Sequence, residues 1–271
     1  MPTDRTVSNA RFPTGTRRQM LTLELSRRTT VSPHLIRITA HGADLANFAY
    51  QGGDQCCRLF LPRPGQPHLR MPTLANNAWA AQYFLMPAAV RPRVRNYTVR
   101  AFRTDPFELD IDVVVHGDGP ASTWARTAEI GSPLGIFDEG RMYRLRPGAR
   151  WQLLVADESG LPAAVAVAED TPPTVLTALY LETPPGDELD LDLGSHVAVT
   201  WIPRADPSTI PGRPALDTIS ALPTPDGPGS VFVAGERGLA TGLRRALVSG
   251  GVPRSAISFF GYWQHGRATP G

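Results

Sequence analysis

Two short polar segments, one strand's length apart, carry the residue types that a flavin needs from a protein. Arg95, Tyr97 and Thr98 fall within one predicted strand, where residues 95 and 97 share a face and Thr98 turns to the other side. An arginine can meet a phosphate, a tyrosine ring can lie on the flat isoalloxazine, and a threonine can bond near the reactive N5. We therefore predict that this strand, including Asn96, holds a flavin ring; an ordinary exposed sheet strand is the alternative.

The second segment, residues 116–122, has the composition of a phosphate-binding turn. Its glycines let the backbone approach an anion closely, and the helix predicted to follow directs free N–H groups and its positive dipole end at that anion. A glycine turn before a helix also occurs in other settings, so the prediction depends on both segments together. The residues predicted to line this diphosphate site are His116, Gly117, Gly119, Pro120, Ala121 and Ser122.

Length and charge indicate two domains of opposite charge. The 271 residues exceed the roughly 100 to 200 of a typical domain. Residues 1–150 contain 20 arginines against 12 acidic residues, a net charge of +8, while the remainder has 7 against 13, a net charge of −6. The basic first half suits an anionic cofactor or substrate, and the lack of any lysine excludes Schiff-base chemistry on that side chain.

The pattern of apolar residues predicts an antiparallel six-stranded β-barrel over residues 18–140, which we interpret as the flavin-binding domain. One helix is predicted at 120–130, and the proline-rich stretch 62–93 is predicted to be irregular with a short helix at 76–84. The six predicted strands are 20–25, 35–39, 56–61, 97–102, 109–115 and 132–137.

Residues 150–271 show a different rhythm, in which short buried strands alternate with helices. This alternation predicts an α/β domain with a parallel sheet and helices on its faces. The predicted strands are 153–156, 175–181, 197–202, 231–234 and 257–260, and the predicted helices are 161–168, 216–222 and 238–249.

Several candidate residues follow the strands of this second domain. Ligands of open α/β sheets bind at the carboxyl ends of strands, so we expect Asp157 and Ser159 to lie near the cofactor; a helix cap is the alternative. The dinucleotide fingerprint GxGxxG is missing, and two adjacent acids, Asp157 and Glu158, would repel a pyrophosphate placed there. Tyr262 and Trp263 at a strand end are predicted to shield the ring or hold a nicotinamide, with domain packing as the alternative. The residues predicted on the nucleotide side are Gly235, Glu236, Tyr262 and Trp263.

Other classes of site receive no support from the sequence. The six histidines and two cysteines lack spacings such as HxxxH or CxxC, so no protein metal site is predicted. Cys56 and Cys57 are adjacent and predict no disulfide. No apolar run approaches the roughly 18 residues of a membrane span, and the amino terminus lacks an apolar signal core. We expect a cytoplasmic protein without membrane insertion or nucleic-acid binding.

Five segments, in order, make the chain resemble the siderophore-interacting proteins, which are flavin-dependent ferric-siderophore reductases. The resemblance covers about residues 20–267, nearly the whole chain, and the five segments lie between residues 95 and 266. They are RNYTVR (95–100), HGDGPASTWA (116–125), ADESGLPA (156–163), FVAGE (232–236) and GYWQHG (261–266).

The resemblance implies an FAD-binding barrel followed by an NAD(P)H-binding-like domain, in a ferredoxin-reductase-like architecture. By position, Arg95 would meet the FAD phosphates, Tyr97 would stack on the ring, and Thr98 would bond near N5, so that these last two lie nearest the chemistry. The family pattern DETALPA is replaced here by DESGLPA. If Gly160 lies within the helix, it is expected to loosen the helix start by about 1 kcal/mol relative to alanine.

The implied reaction passes a hydride from NADH or NADPH to FAD and then single electrons to Fe(III) in a siderophore, so that Fe(II) leaves. Because the iron arrives with its own ligands, the protein needs only positive charge for an anionic chelate. The open alternatives are a flavin reductase with another acceptor, ferredoxin as donor, and a non-catalytic flavin- or siderophore-binding protein. A monomer is expected. The candidate substrate residues are Arg70, Arg91, Arg93, Arg141, Arg144, Arg237 and Arg267.

Overall fold

The computed structural model describes residues 18–66, 68–115, 117 and 119–267. They form two compact units, residues 18–142 and residues 143–267. Within these ranges no helix is both long and apolar enough to cross a membrane.

The first unit is built on an antiparallel sheet in the hydrogen-bonded order β4-β3-β7-β1-β2-β6-β5. Alternate residues of its strands are buried in one core, as with Leu21, Leu23 and Leu25 of the first strand. The predicted antiparallel fold is confirmed, but the described residues contain seven strands and not six. They are β1 Met20–Ser32, β2 Leu35–His41, β3 Cys56–Leu61, β4 Arg93–Thr98, β5 Ala101–Thr104, β6 Phe107–Val114 and β7 Pro133–Gly140.

The extra strand arises because the predicted strand 97–102 covers the end of β4 and the start of β5, which are separate strands. The Val99 N–H donates to the Gln55 carbonyl at 2.8 Å, just before β3, whereas the Arg100 N–H donates to the Asp110 carbonyl in β6 at 2.8 Å. The chain therefore changes partners within two residues, and β4 and β5 stand at opposite ends of the hydrogen-bonded order. Because β4 also contacts β6, the sheet curls into a barrel whose ladder is interrupted at this corner.

Two helices pack on this sheet. The first, α1 (Trp79–Leu85), falls in the proline-rich stretch, close to the predicted position, and its Trp79 and Tyr83 rings pack on Phe60. This aromatic cluster lies apart from the main core and anchors the long connection between β3 and β4.

The second helix, α2 (Pro120–Thr127), is shorter than the predicted 120–130. Ala128 adopts an extended conformation and ends it. The Arg28 guanidinium donates to the carbonyls of Arg126 and Ala128 at 2.7 and 3.0 Å. A cation at the negative end of the helix dipole stabilises this terminus and fastens α2 to β1.

The second unit is the predicted α/β domain, with a wholly parallel sheet in the order β10-β9-β8-β11-β12. All its strands therefore end at one edge, which collects the candidate residues of this unit. Its elements are β8 Trp151–Ala156, α3 Leu161–Glu169, β9 Leu176–Thr183, β10 Val197–Pro203, α4 Arg213–Ser220, β11 Gly229–Glu236, α5 Arg237–Ser249 and β12 Ile257–Trp263.

Candidate functional site

The edge strand β4 carries Arg93, Arg95 and Tyr97 in a row on one face. In the antiparallel register these three residues lie opposite side chains of β3 that are buried in the barrel core. Tyr97 itself is half-buried and packs against that core. The row thus leads from a partly exposed aromatic ring to two cationic side chains. The residues of β3 opposite the row are Leu61, Leu59 and Cys57.

Neither arginine of the row is paired with an acid in the part of the chain that the structure describes. Arg95 donates through Nη1 to the carbonyl of Val94 at 2.7 Å, and the buried Nε of Arg93 has no hydrogen-bond partner. By contrast, Arg103 of β5 holds Asp110 at 2.7 Å. A guanidinium that lacks a carboxylate is suited to a phosphate, which binds the same fork of N–H donors.

The phenol of Tyr97 is held in its neutral form. Burial raises its pKa above the ordinary value, and the positive charge of Arg95 lowers it only in part. A neutral aromatic ring beside the arginines offers a flat surface for a planar ligand.

The other two predicted residues of the strand, Asn96 and Thr98, lie on the opposite face. Asn96 is exposed and accepts a hydrogen bond from Arg58, which also pairs with Glu139. Thr98 is buried opposite Cys56 at the end of the strand. The structure therefore separates the predicted set into two pairs, as the alternation of a strand requires.

The turn before α2 has the backbone features of an anion site. Gly117 has a φ of +54°, and nothing would lie within 4 Å of a Cβ atom there, so space is open beside it. Gly119 is the N-cap of α2 and supplies no side-chain cap, and Pro120 follows at the first helical position. Gly119 thus leaves the helix dipole and the first backbone donors without a cap from its own side chain.

Three more predicted residues belong to this turn. Ser122 is buried, and its hydroxyl donates to the Val114 carbonyl at 3.2 Å, which ties α2 to β6. Ala121 packs into the barrel core. His116 lies outside the described residues. The Ser122 hydroxyl is thus engaged within the fold.

The two segments that the sequence pairs are brought together. Tyr97 and Ala121 pack on the same core, and α2 contacts β4. The first unit therefore contains a ring surface, two arginines that no described carboxylate pairs with, and a helix start to which Gly119 gives no side-chain cap. These are the groups that a flavin with a diphosphate needs, so the residues present fit FAD.

The candidate substrate arginines of the first unit differ in what they do. Arg91 donates at 2.7 Å to each of the carbonyls of Phe84 and Met86 and so closes the end of α1. The Arg141 guanidinium lies over Gly53. Arg70 is exposed and forms no hydrogen bond or ion pair with the residues that the structure describes. Arg91 thus has a structural function, while Arg70 faces solvent.

The candidates of the second unit lie near its surface. Arg144 and Arg267 are exposed, and Arg237 is half-buried at the start of α5. Arg237 donates to the side chain of Gln264 at 3.4 Å, a long contact. These three candidates therefore remain accessible at the surface of the second unit.

A signal that points to the Arg93–Tyr97 row lies in the distribution of acids. Between Gln55 and Thr104 the chain has eight arginines and no aspartate or glutamate. Such a stretch leaves its cations without local partners and raises the positive potential around β4. The eight are Arg58, Arg63, Arg70, Arg91, Arg93, Arg95, Arg100 and Arg103.

In the second unit, Asp157 joins the ends of three strands. Its carboxylate is fully buried and accepts hydrogen bonds from the N–H and hydroxyl of Ser159 at 2.8 and 2.6 Å. The other oxygen accepts from the Glu236 N–H at 2.6 Å and from the Trp263 indole at 3.3 Å. The ends of β8, β11 and β12 are thus tied through one side chain, which brings four of the predicted residues together.

Two glycines make room for this arrangement. A Cβ on Gly235, whose φ is +141°, would lie 2.5 Å from the Asp157 carboxyl carbon. A Cβ on Gly160 would lie 2.4 Å from the Ala234 carbonyl oxygen. The expectation that Gly160 loosens the helix start is therefore wrong, because only glycine permits this close approach of α3 to β11.

The two remaining residues of this group have structural surroundings. Glu236 accepts from the Gly238 N–H and caps α5, and its other oxygen accepts from the His265 N–H at 3.2 Å. Tyr262 is the extra residue of a β-bulge and lies near the Phe260 ring. The bulge turns Tyr262 away from the regular alternation of the strand.

A buried ionic cluster behind these turns has no signal in the sequence. Arg204 binds Glu158 at 2.7 Å and Glu182 at 2.8 Å. Glu182 is fully buried and also accepts from the N–H groups of Gly212 and Ala215 at the start of α4. Arg204 compensates Glu158, so the two adjacent acids carry less net charge than the sequence indicates.

Asp157 makes the stability of this unit depend on pH. Burial and the neighbouring Glu158 raise its pKa to about 7. The native state then binds a proton that the unfolded chain releases near pH 4, so the free energy of unfolding should fall as pH rises between about 4 and 7 and level off above that. We expect Asp157→Asn to be less stable overall, because it loses hydrogen bonds, and to lack this slope.

Urea unfolding of both proteins across that pH range checks the prediction. The wild type should lose up to about 1.4 kcal/mol per pH unit relative to the variant. Parallel pH profiles would contradict the assignment to Asp157.

Across the described ranges, no three His, Cys, Asp or Glu side chains group closely enough to hold a metal ion.

Comparison with known proteins identifies both units. Residues 24–142 match the siderophore-interacting FAD-binding domain, and residues 149–266 match the siderophore-interacting protein domain. A ferric vibriobactin reductase, ViuB of Vibrio cholerae, is 32% identical over 253 residues, covering 90% of this chain and 89% of the relative. An NADPH-dependent ferric-chelate reductase of Escherichia coli is 32% identical over 155 residues, covering 56% and 58%.

Solved structures agree with this assignment. The siderophore-interacting protein SipS from Aeromonas hydrophila has a TM-score of 0.77 and 30% identity, covering 93% of this chain and 94% of that one. A ferredoxin reductase of carbazole 1,9a-dioxygenase, at 17% identity and a TM-score of 0.65, covers 92% and 71% and shares the fold. The predicted ferredoxin-reductase-like architecture is therefore confirmed, and the chain belongs to the siderophore-interacting protein family.

Proposed function

We propose that this chain is an FAD-dependent reductase that transfers electrons from NADH or NADPH to Fe(III) in a siderophore and so releases Fe(II). The observation that carries the proposal is the β4 row beside α2, the helix that follows the glycine turn, in a chain of this family. The ferric reductases among its relatives support the acceptor.

The chemistry that bound FAD supplies is acceptance of a hydride and release of single electrons. In this proposal Tyr97 gives the ring its flat neighbour, and Thr98 at the end of the strand tunes it. Arg95 and the first turn of α2 hold the diphosphate. The iron stays in the siderophore until reduction weakens its bonds to hard oxygen ligands. The acceptor therefore needs access and positive charge, with no general acid or nucleophile.

The second unit is proposed to serve the nucleotide, through the turns at Asp157 and Gly235. The name of the Escherichia coli relative makes NADPH the first nucleotide to test. Ferredoxin is the other donor that the reaction admits.

We also propose that the chain acts as a monomer in the cytoplasm, where NAD(P)H is available. Both of its cysteines are free, as expected in a reducing compartment. Light scattering of the purified protein would detect a dimer.

The test is anaerobic reduction followed by addition of ferric siderophores. The FAD-loaded protein should lose its flavin colour with NADPH or NADH and regain it when a ferric siderophore is added, with Fe(II) captured by a chelating dye. Bleaching by reduced ferredoxin, with none by NADPH or NADH, would identify ferredoxin as the electron donor. If no donor bleaches the flavin, the protein is a non-catalytic flavin carrier. Failure to bind FAD would reject the proposal.

A further inference from the structure

Arg93 stands at the far end of the β4 row from Tyr97. We propose that Arg93 binds the second phosphate of FAD, the one joined to adenosine, and thereby makes the site prefer FAD over FMN. The inference rests on the proposed function for the presence of the flavin. It replaces the sequence-based expectation that Arg93 contacts the ferric chelate.

The order of the row matches the order of groups along the cofactor. From the ring, FAD continues through the ribityl chain to a first phosphate and then to a second, whereas FMN stops at the first. Along β4 the ring surface Tyr97 is followed by Arg95 and then by Arg93 on the same face. Side chains two residues apart on a strand start about 7 Å from one another, a gap that two long arginines can close onto neighbouring phosphates.

The turn before α2 belongs to the same part of the barrel as the row. The helix that follows this turn contacts β4, and Ala121 in its first turn packs on the same core as Tyr97. The backbone N–H groups at the start of α2 and the guanidiniums of the row are therefore both available to one flavin diphosphate.

Arg93 also lacks the partner that a buried donor requires. Its Nε is shielded from solvent and makes no hydrogen bond, and a buried donor left unpaired destabilises the fold unless a ligand satisfies it. No described carboxylate pairs with it, and the sequence from Gln55 to Thr104 contains no acid to compete. A phosphate oxygen is an acceptor of the right charge.

The experiment measures binding of FAD, FMN and riboflavin to flavin-free protein by quenching of flavin fluorescence. Arg93→Ala should weaken FAD about 10- to 100-fold and leave FMN and riboflavin within about 3-fold of the wild type. Arg95→Ala should weaken both FAD and FMN, because both carry the first phosphate. Arg70→Ala, which removes an exposed charge from the same acid-free stretch, is the matched control and should leave all three affinities unchanged.

Equal losses for FAD and FMN in Arg93→Ala would overturn the assignment to the second phosphate. Unchanged FAD affinity with a raised KM for a ferric siderophore would show that Arg93 binds the ferric chelate and not the cofactor. If Arg93→Ala does not fold by circular dichroism, Arg93→Gln is measured against the same ligands and the same outcomes apply. Wild-type protein that does not bind FAD would instead reject the proposed function.

Discussion

Arg95→Ala is expected to bind FAD about 10- to 100-fold more weakly than the wild type and to lose most of its flavin during purification. Arg95 is half-buried on an edge strand, and its hydrogen bond within the described structure is to a backbone carbonyl. Removing it leaves no acid unpaired, so the fold should persist. The ratio of flavin to protein after purification and the FAD dissociation constant measure the loss.

A conservative variant separates charge from geometry. Arg95→Lys keeps the cation but loses the planar fork, so its FAD affinity should lie between those of the wild type and Arg95→Ala. Wild-type occupancy in the alanine variant would show that the strand does not hold the diphosphate.

Arg204→Met is expected to destabilise the second unit by about 3 to 5 kcal/mol. The substitution leaves Glu182, which is fully buried, without its cation, and removes the partner of Glu158 as well. An uncompensated buried carboxylate must be protonated or must draw in water, and either response lowers the free energy of unfolding.

Urea unfolding, followed by the fluorescence of the tryptophans, measures this loss. The matched control is Arg213→Met, which breaks an exposed pair with Asp217 on α4 at 2.8 Å. An exposed i,i+4 pair contributes about 0.3 to 0.5 kcal/mol, so the control should remain close to the wild type. Equal losses of unfolding free energy in the two variants would mean that Arg204 stabilises the fold no more than a surface charge does.

Where a fold element depends on its own residues, the sequence predicted it well. The alternation in β6, the buried strand β8 and the proline-started helix α3 appear in the structure close to their predicted bounds, whereas β1 begins as predicted but continues to Ser32 and not only to residue 25. Their apolar period or helix-start residues act over a few positions, so local chemistry is sufficient.

Other features depend on partners that are distant in sequence. The alternation of residues 97–102 continues smoothly through Val99 and Arg100, and only the change of hydrogen-bond partner divides the strand. Arg204 lies 46 residues from Glu158 and 22 from Glu182, so no local pattern announces the cluster. The need for glycine at position 160 likewise comes from the approach of Ala234.

Two residues near the candidate site also differ in a way that depends on partners outside their local sequence. Arg91 and Arg93 are equivalent as sequence, since both sit in a basic, proline-containing stretch. In the structure one closes a helix through carbonyl oxygens and the other has a buried donor without a partner. Their difference comes from where α1 ends relative to β4, which depends on tertiary packing.

The position of β4 at the end of its sheet has a consequence for association between molecules. A terminal strand presents unpaired N–H and C=O groups that can add a strand from another copy of the chain. Two copies of β4 laid side by side would bring Arg93 and Arg95 of each against like charges, which opposes such pairing. The arginines that we assign to the cofactor would therefore also discourage aggregation through this edge, and neutral variants of them should be handled at low protein concentration.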